Sequence, residues 1–339
     1  MRVADYIVKR LCDAGASHIF MVTGRGALFL NDAVAAQDEV KSVCLHHEQS
    51  AAYAAVAYSD YKGEIGVCMV STGCAGTNAL TGVLNAWQDG IPCIFISGQN
   101  KLNETSRFTG IPLRTYGQQE ADIIPIVESI TKYSVMITDP NQIGYEMDKA
   151  LFLAQDGRKG PVWIDIPLDV QNKRIDPENL KRFTPKRIPD YAPSKDDIDF
   201  LLSSIKEAKR PAILIGSGVR SAEAIDELES FLKIFPMPVT YSGSAPDSYG
   251  LNNVLSIGSV GMMGCSRAGN LTVQNSDLLL VLGCRLNTMT TGEELQKFAR
   301  EAKIVIVDID QIEHSKETIK IDRLVVADVK KTLKELIKN

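Results

Sequence analysis

The 339-residue sequence predicts an α/β protein built from two doubly wound parallel-sheet domains in tandem. Three observations lead there. Short runs that are apolar throughout, such as Ile65 to Val70, alternate with segments of helical periodicity, as expected of parallel strands covered on both faces. The alternation lapses between Val170 and Ser194, where Pro177, Pro185 and Pro189 punctuate a polar stretch. It then resumes to the end of the chain. The expected domains are therefore 1–170 and 194–339, joined by a linker at 171–193, and each is long enough for its own core.

In order, a helix is expected over Val3 to Asp13, with Val3, Ile7 and Leu11 on one face and Gly15 beyond its end. Strands are expected at Ile19 to Val22, Ser42 to Leu45, Ile65 to Val70, Pro92 to Ser97, Tyr133 to Ile137 and Pro161 to Ile166. Helical stretches from Ala27, over Gln49 to Tyr61, over Thr77 to Trp87 and over Tyr145 to Ala154 connect them. In the second domain a helix starts after Ser194, with Asp196 and Asp197 in its first turn. Strands at Ala212 to Ile215, Leu278 to Leu282 and Ile304 to Val307 follow, with helices near Ala222 to Ile234 and at Val329 to Ile337.

Lys and Arg total 37 against 42 Asp and Glu, a net charge of −5, and no basic block stands out. Nucleic-acid binding is disfavoured. No apolar run approaches the roughly 18 residues that cross a bilayer, and the N-terminus lacks the apolar segment of a signal peptide. The seven cysteines include no C-x-x-C pair. A reduced, cytoplasmic protein away from membranes is expected.

Two segments carry chemistry. His46-His47-Glu48-Gln49 lies at a strand-to-helix junction, where a carboxylate either meets a ligand or complements the helix dipole. Neighbouring residues off a strand face opposite ways, so His46 and His47 do not suggest a metal. Ser71-Thr72-Gly73-Cys74-Ala75-Gly76-Thr77-Asn78 closes a strand and opens a helix. Its glycines permit close approach to the backbone. It matches neither the P-loop nor G-x-G-x-x-G.

In sequence order these segments resemble the pyrimidine-binding domain of thiamine diphosphate enzymes, specifically the acetolactate synthase large-subunit group. The resemblance rests on Thr23-Gly24, His47-Glu48-Gln49, Ser71-Thr72-Gly73, Gly76-Thr77-Asn78, Ser97-Gly98-Gln99, Gln119-Glu120-Ala121-Asp122 and Ile166-Pro167-Leu168-Asp169-Val170. The second half is similar to the central domain of that group, through Gly283-Cys284-Arg285, Val307-Asp308-Ile309-Asp310 and Val326-Ala327-Asp328.

The resemblance implies a 2-oxo-acid decarboxylase or carboligase using thiamine diphosphate. Glu48 matches the glutamate that hydrogen-bonds the aminopyrimidine and promotes its imino tautomer, a proton shuttle that an amide cannot perform. Gln119 matches a glutamine that orients substrate, and Thr23, Gly24, Thr72, Gly73 and Asn78 line the same cleft. In the central domain, relatives often hold FAD or another adenine nucleotide. Gly216, Gly218, Arg285, Asp308 and Asp310 are the candidates here, with an empty packing domain as the other reading.

Departures from the family refine the expectation. Thr23-Gly24-Arg25-Gly26 replaces Pro-Gly-Gly, Gln118 replaces a phenylalanine, and a longer loop from Asn100 to Gln118 carries Lys101, Arg107 and Arg114. These features look more like relatives in surface-polysaccharide pathways, with a keto-sugar nucleotide as acceptor. The three loop cations would pair with its phosphates or else stand solvated. The family's Gly-Asp-Gly motif, which binds Mg2+ and the diphosphate, does not occur in the sequence. A diphosphate-binding domain from another chain, or from a missing C-terminal part, is therefore expected, together with a homodimer through the first domain. The rival expectation is a non-catalytic regulatory or scaffold subunit that keeps the fold. A NAD-dependent dehydrogenase is disfavoured because Gly216-Ser217-Gly218 lacks the third glycine of the fingerprint.

Overall fold

The computed structural model describes residues 1–186, 189–316 and 319–339. The chain folds as two compact units, Met1–Ile188 and Pro189–Asn339. In the first, β1 (His18–Met21), β2 (Lys41–Cys44), β3 (Gly66–Val70), β4 (Cys93–Gln99), β5 (Tyr133–Met136) and β6 (Val162–Pro167) form one sheet in the order β2-β1-β3-β4-β6-β5. Every pairing is parallel. The helices are α1 (Val3–Asp13), α2 (Leu28–Ala35), α3 (Glu48–Lys62), α4 (Cys74–Asn78), α5 (Leu80–Asp89) and α6 (Ile143–Gln155), besides shorter turns.

Strand periodicity sorts side chains between two cores. Val67 and Met69 of β3, Ile94 and Ile96 of β4, and Ile164 and Ile166 of β6 face the core containing residues of α1, α2 and α6. Cys68, Val70, Phe95 and Trp163 face the other, containing residues of α3 and α5. The inner strands β3, β4 and β6 are buried along their whole length, whereas the edge strand β2 is largely exposed. The helix expected over Thr77 to Trp87 is two helices, α4 and α5, divided at Ala79. Within 171–193, Val3 N–H donates to the Lys173 carbonyl at 2.9 Å, and Ile175 and Leu180 lie in the first unit's core.

In the second unit β7 (Pro211–Ile215), β8 (Val239–Tyr241), β9 (Ser256–Ser259), β10 (Leu278–Leu282), β11 (Lys303–Asp308) and β12 (Arg323–Val326) form a second parallel sheet, in the order β12-β11-β10-β7-β8-β9. Helices α7 (Lys195–Glu207), α8 (Ile225–Ile234) and α10 (Val329–Lys338) contribute to the core on one face, and α9 (Arg267–Asn275) to the core on the other. β8, β9, β12 and α9 went unanticipated. The three strands are short and lie at or next to the sheet's edges, and β9 is half-exposed throughout, so they lack the continuous apolar runs that mark β10 and β11.

Both sheets bring all their C-terminal strand ends to one edge. In the first, the turn after β1 and the end of β4 meet there so closely that a Cβ on Gly98 would overlap the Gly26 carbonyl. Backbone cannot yield as a flexible side chain would. Gly98→Ala is expected to lower the stability of the first unit by about 2–3 kcal/mol, read as a lower urea midpoint at unchanged slope. An unshifted midpoint would show that this turn and the end of β4 separate freely.

Candidate functional site

The order of the first sheet reverses between β1 and β3: from β1 the chain runs outward to β2, then returns to β3 on the other side. In open parallel sheets the crevice at such a reversal is the usual ligand position. The segments that flank it here are Thr23 to Arg25 after β1, His46 to Glu48 after β2 and Ser71 to Gly73 after β3.

His47 caps α3, its Nδ1 accepting from Gln49 N–H at 3.1 Å. Glu48 is therefore the first helical residue, half-buried, and complements the helix dipole. Its Oε2 accepts from Asn78 Nδ2 at 2.9 Å, across the crevice from α4. Its Oε1 has no hydrogen-bond partner among the described residues. Gln49 Nε2 donates to Thr81 Oγ1 at 2.8 Å, tying α3 to α5.

Glycines permit the crossings nearby. Gly26 N–H donates to Ser71 Oγ at 3.1 Å, and a Cβ on Gly24 would lie 2.5 Å from Ser71 Cβ. Thr72 is buried beside Gly26, whereas Thr23 is exposed. Gly73 has a φ of +64° and faces the Gln119 carbonyl, leaving no room for a Cβ. Gln119 itself has a φ of +56° and an exposed side chain. Glu48 with Asn78 and Gly73 with Gln119 are thus brought together as pairs, and no hydrogen bond joins Glu48 to Gln119.

The loop cations differ from one another. Arg107 is paired, its Nε donating to both carboxylate oxygens of Asp122 at 3.0 Å. Lys101 Nζ stands 4.0 Å from Glu104. Arg114 is exposed, with no partner among the described residues. Arg25 Nη1 donates to Asn100 Oδ1 at 3.3 Å.

In the second unit the order reverses between β7 and β10. There the glycines serve packing: a Cβ on Gly218 would lie 2.6 Å from Gly283 Cα, and one on Gly216 2.6 Å from Cys284 Cα. Gly216 N–H donates to the Leu282 carbonyl at 2.9 Å and Gly218 N–H to the Gly283 carbonyl at 3.0 Å, so neither amide is left for a phosphate. Asp308 accepts from Asp310 N–H at 2.9 Å and lies 3.2 Å from the buried His314 Nε2. Asp310 accepts from the amides of Ile312 and Glu313 at 3.0 and 3.2 Å. Of the five residues expected to hold a nucleotide, only Arg285 offers a charged group without a partner among the described residues.

Comparison with known proteins agrees with this layout. Residues 1–126 match the family described as "Thiamine pyrophosphate enzyme, N-terminal TPP binding domain", and residues 198–336 match "Thiamine pyrophosphate enzyme, central domain". The chain is 34% identical to the acetolactate synthase large subunit of Corynebacterium glutamicum over 99% of its own length and 52% of that protein. It is 36% identical to the acetolactate synthase large subunit of Cyanidium caldarium, over 88% of this chain and 50% of that one. It is 33% identical to a probable acetolactate synthase large subunit of Methanocaldococcus jannaschii, over 99% and 56%. The chain thus spans about half the length of these relatives. Among the described residues no helix is long and apolar enough to cross a membrane.

One group beneath the crevice went unanticipated. Asp165 is fully buried in β6, on the face that also carries Trp163. A charge inside the apolar run Val162 to Ile166 was its only sequence signal. Burial pushes its carboxyl up to about 7, against the opposing effect of hydrogen bonds from Ser97 and Gln99. Between the ordinary carboxylate range near ~4 and this value, the unfolded chain is ionised while the folded one keeps the proton. Unfolding then releases a proton, so this group's contribution to stability falls as pH rises through that window and levels off above it. Urea titrations of wild type and Asp165→Asn are expected to show that their stability difference changes against the wild type by up to roughly 1.4 kcal/mol per pH unit from ~4 to ~7. A pH-independent difference would contradict this.

Proposed function

The chain belongs to the thiamine pyrophosphate enzyme family, and on that premise we propose that it supplies the pyrimidine side of the cofactor site in a 2-oxo-acid decarboxylase or carboligase of acetolactate synthase type. The observation that carries this reading is Glu48: a half-buried carboxylate at the switch point, with one oxygen oriented by Asn78 and the other without a partner among the described residues. The residues fit the group. A ring nitrogen needs a carboxylate oxygen that can hold and return a proton, and Oε1 is that atom.

Thiamine diphosphate, when bound, supplies stabilisation of carbanion character next to a former carbonyl. The chain's own residues do the rest. Asn78 keeps Oε2 occupied, so proton exchange falls to Oε1 of Glu48. Gly24 and Gly73 let the turns after β1 and β3 pack against Ser71 and against the Gln119 carbonyl, which fixes the walls of the crevice. The exposed side chain of Gln119, on the turn whose backbone carbonyl faces Gly73, would orient a substrate carboxylate or carbonyl. The reading assigns magnesium and the diphosphate to a diphosphate-binding domain outside these residues; no cluster of three His, Cys, Asp or Glu groups fit for a metal occurs among the described residues.

A homodimer through the first unit belongs to the same proposal. Tyr53 of α3 and Leu84 and Trp87 of α5 are exposed on the helix pair that starts at Glu48, an apolar face of the kind a second copy covers. For the acceptor, a keto-sugar nucleotide is supported by Arg114 and Lys101 rather than Arg107, whose guanidinium already serves Asp122. An adenine nucleotide or FAD in the second unit is supported by Arg285 alone.

Glu48→Gln is expected to fold normally, because Asn78 can still bond its amide oxygen. It should lower kcat on a 2-oxo acid by about 10²–10⁴-fold in the enzyme completed by its diphosphate-binding domain, whether that domain is a separate chain or a continuation of this one. Wild-type turnover by that variant would refute the role of Glu48.

A further inference from the structure

Two consecutive residues at the end of β4 hold the Gln119 turn from both sides. Asn100 Nδ2 donates to the Gln118 carbonyl at 3.0 Å, and Gln99 Nε2 donates to the Ala121 carbonyl at 2.9 Å. Between these anchors Gln119 adopts its left-handed φ of +56°, a conformation that a non-glycine residue keeps only when its surroundings enforce it.

The Gln99 amide can hold this turn in one orientation only. Its Nε2 also donates to Asp165 Oδ2 at 3.2 Å, and its Oε1 accepts from Asn100 N–H at 3.0 Å. Flipped, it would set an oxygen against both the carboxylate and the Ala121 carbonyl, and an N–H₂ against the Asn100 amide. The other carboxylate oxygen is fixed as well. Trp163 Nε1, which can only donate, gives its hydrogen to Ser97 Oγ at 2.9 Å, and the Ser97 hydroxyl turns to Asp165 Oδ1 at 2.5 Å.

We propose that Asp165 is a positioning residue: acting through Gln99, it fixes the turn from Gln118 to Ala121 in the form that sets Gln119 against Gly73. It lies too deep to touch a substrate, being fully buried. Its importance to catalysis rests on the reading of Gln119 as a substrate-orienting group; its hold on the turn does not.

Amide hydrogen exchange on the full chain, measured above pH 7 where Asp165 is ionised and accepts at both oxygens, tests both parts. Ser106 N–H and Tyr116 N–H donate to the Glu120 carboxylate at 3.0 and 2.8 Å, and Glu120 N–H donates to the Gly117 carbonyl at 3.2 Å, so these three amides report on the turn. In Asp165→Asn the new amide presents a donor to neighbours that already donate, and one contact is lost. Exchange at the three reporters is expected to quicken at least tenfold, while amides of β3 and β6 keep wild-type rates. Gln99→Met, which removes the link and leaves the carboxylate, should do the same and carries the test if the first variant does not fold. Ser97→Thr, which keeps the hydroxyl, should leave the reporters slow, and Ser97→Ala should not. Unchanged reporters, or equal quickening throughout the strands, would overturn the proposal. Kinetics of the assembled enzyme separate the two readings. A loss in kcat or a raised KM for the 2-oxo acid supports both, whereas a freed turn with unaltered kinetics keeps the positioning role and removes Gln119 from the site.

Discussion

The backbones leaving β1, β3 and β4 cross in direct contact at the C-terminal edge of the first sheet, and the rest of the site depends on that crowding. A parallel sheet delivers every connection at this edge. The connections can share so small an area only where side chains are missing, at Gly26 against Thr72, Gly98 against Gly26 and Gly73 against Gln119. The close approach leaves Thr72 buried and holds Gly73 and Gln119 in left-handed conformations. Beside these crossings Asn78 binds one oxygen of Glu48, and the other has no hydrogen-bond partner among the described residues. Rigid crossings and a carboxylate with one free oxygen are two results of one arrangement.

Such crowding needs support from below, and a purely apolar layer would supply it without direction. Asp165, Ser97, Gln99 and Trp163 supply hydrogen bonds whose sense is fixed by the donor-only indole. The layer bears the desolvation of a carboxyl group, a cost an apolar residue at that position would avoid. In exchange, the amide of Gln99 points one way, and the turn above it has one conformation. Buried polar groups of this sort specify geometry more than they stabilise it.

How far the site was legible in the sequence depended on how each residue announces itself. The inner strands were plain because burial on both faces leaves no polar residue to interrupt Gly66 to Val70 or Leu278 to Leu282. β8, β9 and β12 were not, since short strands near an edge need no apolar run and β9 bears two serines and a glycine. Glu48, Gly73, Asn78 and Gln119 could be named from ordered motifs, but motifs do not say which atoms are already bonded. That Arg107 is engaged by Asp122, or that Oε1 of Glu48 has no hydrogen-bond partner among the described residues, follows only from three-dimensional neighbours. Asp165 was visible as a charge in an apolar run, but its partners on β4 lie 66 and 68 residues away. No local spacing could have joined them.

The second unit shows that the same plan does not by itself make a site. Its sheet also reverses at the centre and also places glycines in the flanking turns. There, however, Gly216 and Gly218 press on Gly283 and Cys284, and their amides are used in that contact. Asp308 and Asp310 accept from the amides of their own turn. Gly283 and the apolar, buried Leu286 have φ of +54° and +50° in the same turn, so the strain there presents no polar group to a ligand. Among the described residues, the first unit leaves an oxygen of Glu48 unbonded at its switch point, whereas the second engages Gly216, Gly218, Asp308 and Asp310 within its own turns. Of two crevices with one topology, the first presents a carboxylate oxygen without a hydrogen-bond partner among the described residues, and the second presents the Arg285 guanidinium.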